Sequence, residues 1–339
     1  MVHSTTHQPS PQLFFETVNA YQRTEALKTG IELDVFTSIG KGAATPAALA
    51  LKTGASERGL RILCDYLTII GFLTKQNESY GLTLDSSVFL DRRSPACVAS
   101  AVGFLSTPAL TAMFRDLPAA VRKGGTTMSE AGSMEPEHPM WVDFARSMAP
   151  LMTMSAEFIA GLVGAGAGRP CKVLDVAAGH GAFGIAIAKH NPIAQIYATD
   201  WAAVLEVAKE NALAAGVADR HHTIPGSAFD VELGGDYDLV LLTNFLHHFD
   251  APTNEKLLRR LHAALKPGGQ VATLEFVPND DRVTPPMSAA FSLMMLGSTA
   301  HGDAYTFREL EQMFHNAGFS RSTLHPLPPG DPSIVLSLK

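Results

Sequence analysis

The sequence predicts an α/β protein: a doubly wound, largely parallel sheet of seven strands, preceded by a helical domain closed with a short hairpin. Three observations carry this. From Cys171 onward, short apolar and β-branched runs alternate with helical segments, the pattern of a parallel sheet with helices on both faces. The first of those runs, Lys172–Val176, turns on Gly179, Gly181 and Gly184 into an apolar helix. Ahead of Pro95, apolar residues recur instead at helical spacing.

In the front part, Phe14, Val18, Tyr21 and Leu27 share one helical face over a helix from Leu13 to Ala26, and Leu33, Val35 and Phe36 extend it after Gly30. Thr45 before Pro46 reads as an N-cap, and Ser56 caps a further helix reaching Ile70. Segments 71–75 and 80–83, separated by the polar Gln76-Asn77-Glu78-Ser79, make a hairpin. Helices with such a β-wing describe a winged-helix domain over residues 1–100. DNA is the usual partner of that fold, but the last helix offers only Arg58 and Arg61 among Ile62, Leu63, Leu67 and Ile69. A formal charge of −7 also opposes a phosphate backbone, so nucleic acid is not the expected partner. Packing against a second copy of the chain explains the apolar surplus better. A DNA-binding regulator stands as the binding-module alternative.

Residues 101–165 read as a helical linker that also supplies an acceptor pocket. Trp141, Phe144, Met148, Leu151, Met152 and Phe158 form a stripe of helical spacing, suited to a core or to an apolar pocket. The Gly- and Ala-rich stretch 161–170 reads as a hinge into a domain over 166–339. There the expected strands are Lys172–Val176, 195–199, 222–225, 239–243, 270–275, 322–326 and 334–338. The expected helices are near 183–190, 201–215, 253–265, 286–297 and 306–317. With 339 residues, 46% of them hydrophobic, the chain can bury two cores, yet no run reaches the roughly 18 apolar residues of a membrane span. Met1 to His7 lacks a signal-peptide pattern, and Cys64, Cys97 and Cys171 are too scattered for disulfides or zinc. A cytoplasmic protein with reduced thiols and no membrane contact follows as the expectation.

Ligands of doubly wound sheets sit beyond the carboxyl ends of the strands. Those ends carry the glycine turn, then Asp200, then Gly226-Ser227-Ala228-Phe229, then Thr243-Asn244-Phe245-Leu246-His247-His248-Phe249, and then Glu275. The spacing Gly179-x-Gly181-x-x-Gly184 formally suits a dinucleotide, and a carboxylate such as Asp200 can accept bonds from both ribose hydroxyls. Two features favour S-adenosylmethionine over a nicotinamide: Asp175 lies inside the first strand, and the helical domain precedes the turn rather than following it.

With these motifs in order, the second domain resembles the class I S-adenosylmethionine-dependent methyltransferases, Rossmann-like in architecture. The whole chain resembles the small-molecule O-methyltransferases of the plant caffeate and acetylserotonin type and their bacterial relatives. The likeness runs from Ala26-Leu27-Lys28-Thr29-Gly30-Ile31-Glu32-Leu33-Asp34-Val35-Phe36 and Leu60-Arg61-Ile62-Leu63, through Val173 to Gly181, to Lys266-Pro267-Gly268-Gly269 and Ala317-Gly318-Phe319. It implies a homodimer joined through the front domain and S-adenosyl-L-methionine as cofactor, leaving S-adenosyl-L-homocysteine as product.

The resemblance also assigns roles. Asp175, Gly179 and Gly181 would form the methionine-side loop; Asp200 would hold the ribose and Trp201 would flank the adenine. Ser227 stands where the family commonly has an Asp, Ala228 and Phe229 would cover the ring, and Asn244 would neighbour the cofactor. His247 matches the general base, in a Leu-His-His-Phe motif where plant members read Leu-His-Asp-Trp, and Glu275 matches the carboxylate that orients it. A phenol of pKa about 10 is a weak nucleophile at neutral pH, which is why a positioned imidazole helps. A second glutamate that braces the histidine in plant enzymes is replaced by Ala304, with Tyr305 or Asp303 as candidate substitutes. The acceptor pocket would be walled by Met148, Met152, His248, Phe291, Met294, Met295 and Tyr305. No metal is expected, since Asp280-Asp281 reads as a solvated turn. The reading is therefore methyl transfer to a hydroxyl of a small, apolar, aromatic molecule, with carbon or nitrogen methylation, or a non-methylating use of the cofactor, as alternatives.

Overall fold

The structure, a computed structural model of the chain, describes residues 9–129, 132–327 and 332–339. Met1 to His7 lies outside the described residues, as do Glu130 and Ala131 of the polar run before Pro139. Two compact units divide between Val102 and Gly103.

In the first unit, α1 (Gln12–Val18) and α2 (Ala20–Glu32) replace the single helix expected from Leu13 to Ala26. Asn19, a residue that favours turns, separates them at φ −93° and ψ 4°, and the Thr17 hydroxyl bonds back to the Leu13 carbonyl. No residue of α1 is buried: Leu13, Phe14 and Phe15 are 74%, 64% and 57% exposed. Then come α3 (Val35–Gly40), α4 (Pro46–Thr53) and α5 (Glu57–Ile69). The Thr45 hydroxyl caps α4 by accepting from the Ala48 N–H at 3.3 Å, and Ser56 caps α5 through Gly59 at 3.0 Å. Strands β1 (Leu73–Gln76) and β2 (Ser79–Leu82) form the expected antiparallel hairpin, followed by α6 (Leu84–Phe89). Val35, Phe36, Leu49, Leu60, Cys64 and Leu67 fill this unit's core. Arg61 is paired with Asp65 at 3.0 Å, which further reduces the cationic surface of α5.

Helix α7 (Ala101–Leu105) spans the division, and the second unit continues with α8 (Pro108–Ala112), α9 (Leu117–Lys123) and the long α10 (Met140–Leu162). Residues 103–165 are not a free-standing linker: Ala156, Ile159 and Ala160 of α10 are buried with Val173, Ile185 and Ile196 of the sheet layer. The Gly-rich stretch 161–170 accordingly lies within the second unit.

The remaining elements alternate: β3 (Lys172–Val176), α11 (Ala182–His190), β4 (Gln195–Asp200), α12 (Ala202–Ala214), β5 (His221–Pro225), β6 (Tyr237–Thr243), α13 (Ala251–Ala264), β7 (Leu265–Glu275), α14 (Pro286–Ser298), α15 (Phe307–Asn316), β8 (Arg321–Pro326) and β9 (Ser333–Leu338). The sheet order is β5-β4-β3-β6-β7-β9-β8. Neighbours from β5 through β7 are parallel, whereas β9 pairs antiparallel with both β7 and β8. Central strands are apolar on both faces, as a doubly covered sheet requires. Leu174, Val176, Val240 and Leu242 point into one core with α13 and Phe314, while Val173, Leu239 and Leu241 point into the other with α10 and α11. Strand order reverses beside β3, so the crevice at the carboxyl ends of β3, β4, β6 and β7 is where a ligand site is expected. No helix among the described residues is long and apolar enough to cross a membrane.

Candidate active site

The turn after β3 is built from left-handed backbone: Ala177, Gly179 and Gly181 have φ of 52°, 56° and 73°. At Gly184 the demand is space, since an added Cβ would meet Ile196 Cγ2 at 2.6 Å and Asp175 Oδ2 at 2.9 Å. Asp175 is fully buried beneath the turn, where its Oδ2 accepts from the Gly184 N–H at 3.0 Å and its Oδ1 has no partner among the described residues. Burial pushes its carboxyl up to about 7; the Gly184 bond opposes this, and the nearby Asp200 charge adds to it.

Asp200, at the end of β4, is fixed by two backbone donors, the Gly179 N–H at 2.8 Å and its neighbour Trp201 at 2.7 Å. Burial raises its carboxyl to about 6 against those two bonds. Glycine turn and acidic residue thus form one unit, with the carboxylate aimed by main-chain dipoles.

At the end of β6, Asn244 adopts φ 52°, and a 3₁₀ turn over Leu246–His248 follows. His247 and Glu275 are both buried, and His247 Nδ1 lies 2.5 Å from Glu275 Oε2. The other carboxylate oxygen accepts from the Phe245 and Leu246 N–H groups at 3.0 and 2.8 Å. Glu275 therefore holds both the imidazole and the turn that carries it, leaving Nε2 as the nitrogen available to a ligand.

These strand ends share a cavity of about 350 Å³. Its wall includes Gly179, Asp200, Trp201, Asn244, His247 and His248 from the strand ends, Met148 and Met152 from α10, and Phe291, Met294 and Met295 from α14. Asp175, Gly181 and Glu275 support the wall from behind. Ser227, Ala228, Phe229 and Tyr305 are not part of it. Phe229 turns its ring onto Phe245 and Phe249, at 6.3 and 5.0 Å, and joins the core instead, while Ser227 Oγ accepts from the Phe229 N–H. Tyr305 donates to the Phe249 carbonyl at 2.5 Å and never reaches the imidazole; Asp303 is engaged by Arg282 at 3.3 Å.

His180 and Phe276 in the wall, and Asn254 behind it, carry no sequence signal of their own. His180 is buried, stacked at 6.3 Å on Phe144, and accepts at Nδ1 from the Ala182 N–H. Burial lowers its pKa to about 4, so it stays neutral. His248 is held neutral in the same way, by burial and then by the adjacent His247. Its ring meets Trp141 edge-on at 5.4 Å, and its Nδ1 has no partner among the described residues. Phe276 stacks on Phe291 at 4.0 Å and shapes the wall opposite α10. Asn254 of α13 is buried behind the His247 turn, bonded to the Leu246 and Phe249 carbonyls. Its one legible trait is that a polar residue occupies the core stripe shared with Leu257, Leu258 and Leu261.

The cavity's charge identifies the kind of cofactor it fits. Among the described lining residues there is no Lys or Arg, and Asp200 is the sole carboxylate. A pyrophosphate would meet repulsion here, whereas a sulfonium finds a carboxylate and the aromatic side chains of Trp141 and Phe144 in the same lining. The donor set therefore fits S-adenosylmethionine better than a dinucleotide. No group of three or more His, Cys, Asp or Glu side chains among the described residues is arranged to hold a metal ion.

Known proteins resemble this arrangement over the full chain. Residues 167–320 match the O-methyltransferase domain family, and residues 15–92 match the O-methyltransferase dimerisation domain. The chain is 57% identical to a solved Nostoc punctiforme protein carried as a candidate O-methyltransferase, with a TM-score of 0.94 over 98% of this chain and 100% of that one. It is 27% identical to the 3-hydroxy-5-methyl-1-naphthoate 3-O-methyltransferase of Streptomyces sahachiroi, over 97% of this chain and 95% of the relative. Human N-acetylserotonin methyltransferase, solved with SAM, shares the fold at a TM-score of 0.82 and 21% identity, over 100% of this chain and 99% of that one.

Proposed function

This chain belongs to the O-methyltransferase family, whose members methylate small molecules with S-adenosylmethionine, and from that premise we propose that its acceptor is an uncharged aromatic hydroxyl compound deprotonated by His247. The buried His247–Glu275 pair at the cavity wall carries this reading. When bound, S-adenosylmethionine supplies an electrophilic methyl group on a sulfonium. The Gly179 turn, Asp200 and Trp201 would hold it, and Asp175 would keep the turn in shape.

The protein's part in the reaction is proton removal and alignment. Glu275 occupies Nδ1, so Nε2 accepts the acceptor's hydroxyl proton, and the carboxylate stabilises the imidazolium that results. Met148, Met152, Phe291 and Met294 confine an apolar ring beside that nitrogen. Holding an acceptor oxygen near the methyl group contributes up to roughly 7–11 kcal/mol, more than a base supplies.

An uncharged acceptor follows from the walls. Among the described residues no Lys or Arg lines the cavity, and with His180 and His248 neutral an acceptor carboxylate would enter unpaired, at a cost of several kcal/mol. Acetylserotonin, named for the human relative, is an uncharged aromatic compound of this class, whereas the naphthoate named for the Streptomyces relative carries a carboxylate. The match to a dimerisation domain, together with the bare apolar face of α1, supports a homodimer.

Calorimetric titration with S-adenosylmethionine tests the premise, and methyl transfer to methyl 3-hydroxy-2-naphthoate against its free acid tests the acceptor class. The ester is expected to be preferred by at least about 10-fold. Equal use of the free acid would overturn the uncharged-acceptor reading.

A further inference from the structure

The family's second carboxylate brace has no counterpart at Ala304, which is fully buried and too short to reach the imidazole. The turn that carries His247 is instead gripped along its backbone. Glu275 takes the Phe245 and Leu246 N–H groups. From the other side, Asn254 Nδ2 donates to the Leu246 carbonyl at 2.9 Å and the Phe249 carbonyl at 3.3 Å, and the Tyr305 hydroxyl donates to the same Phe249 carbonyl at 2.5 Å. Gly302 closes the third side, with the His247 carbonyl 2.2 Å from where a Cβ would stand.

Resting on the assignment of His247 as base, we propose that Asn254 and Tyr305 are positioning residues that set the imidazole through its main chain, in place of a second carboxylate on the ring. Fold stability alone does not call for these bonds. The Leu246 carbonyl already accepts from the Phe249 N–H at 3.2 Å, so Asn254 adds a second donor to a satisfied group. Asn254 Oδ1 meanwhile stays buried with no partner among the described residues, a cost of about 1–3 kcal/mol that an apolar side chain would avoid. The amide cannot be reversed, because its oxygen would then face two carbonyl oxygens. Tyr305 is suited to donate, since burial and then Asp303 push its phenol pKa up and keep the proton on oxygen. Both residues meet at Phe249, the residue that ends the turn, so together they fix where the imidazole plane lies relative to Glu275.

Asn254→Ala and Tyr305→Phe, each in the wild-type and the His247→Ala background, test this. Turnover is measured with S-adenosylmethionine and methyl 3-hydroxy-2-naphthoate, and the His247 Hδ1 resonance is recorded on histidine-labelled protein saturated with S-adenosylhomocysteine. Asn254→Ala is expected to lower kcat roughly 10- to 100-fold, and Tyr305→Phe several-fold, with cofactor Kd changed less than about twofold. Neither substitution should lower turnover further once His247 is Ala. The downfield Hδ1 signal should broaden or move in both. Losses that multiply in the His247→Ala background, or an Hδ1 resonance unchanged in both variants, overturn the proposal. Full activity in His247→Ala alone would instead refute the base, and the resonance would still decide the clamp. Tyr305→Phe, which removes one oxygen and no packing volume, keeps the test open should Asn254→Ala fold poorly.

Discussion

Asp175 and Asp200 are buried where desolvation resists their charge, and the protein's response to pH follows. Their pKa values, raised to about 7 and about 6, lie above those of the unfolded chain, so the folded state binds protons more tightly. The stability they contribute is complete below about pH 4 and is lost as pH rises through 6 and 7. His180 acts in reverse: its pKa, lowered to about 4, contributes stability above about pH 6.5 that is lost as pH falls through 4. Asp175→Asn removes one titration while keeping an acceptor for Gly184. In urea unfolding without cofactor, the variant's stability relative to wild type should be greater near pH 8 than near pH 5; a difference independent of pH would contradict the raised carboxyl. At the base, His247→Ala should cut turnover about 10²- to 10⁴-fold with cofactor affinity nearly unchanged, measured by steady-state assay and calorimetry. Asp200, Asn244 and His247 were legible in the sequence because topology brings strand ends together, whereas Ser227, Ala228 and Phe229 beyond β5 fall outside the cavity wall. Asn254 and His180 were not legible, because their role depends on which backbone a helix or a turn happens to press against.

At the scale of elements, the strands were readable to within two residues except β7, which starts at Leu265 rather than 270, since most are short apolar runs punctuated by glycine and the helices carry regular stripes. The glycine turn works because β3, β4 and α11 approach closely at Gly184. Gly184→Ala should therefore destabilise by about 1–3 kcal/mol in denaturant unfolding and weaken cofactor binding with it, as overpacking moves the turn. Helix α1 ends at Val18 rather than running on to Ala26; periodicity announces its apolar face and cannot say whether that face is covered within the chain. Its exposed Leu13, Phe14 and Phe15 give the proposed homodimer a test. Leu13→Ser with Phe14→Ser should shift sedimentation toward monomer while the cofactor-binding unit keeps its affinity. Met148, Met152, Phe291, Met294 and Met295 are expected in the acceptor wall and line the cavity, whereas Tyr305 does not; His180 and Phe276 were not legible there, because α10, α14 and the strand ends come together through the tertiary fold and share no local motif.

For the molecule as a whole, charge and connectivity matter more than any single contact. The net charge of −7 and the pairing of Arg61 with Asp65 argue against nucleic acid as a partner of the front unit. Duplex DNA should show no mobility shift at roughly 0.15 M salt. A retained shift would revive the regulator reading. The sheet's order has its own consequence: β9 lies inside the sheet, between β7 and β8, and Ser333 is the register partner of Glu275. During synthesis the strand bearing the orienting carboxylate thus emerges well before the strand that covers its flank. A nascent chain that stops short of Ser333 has β7 as a naked edge, open to chaperones or to pairing with another chain. The flank of Glu275 is thus closed only once β9 has been made, so the candidate site cannot be fully walled before that strand emerges.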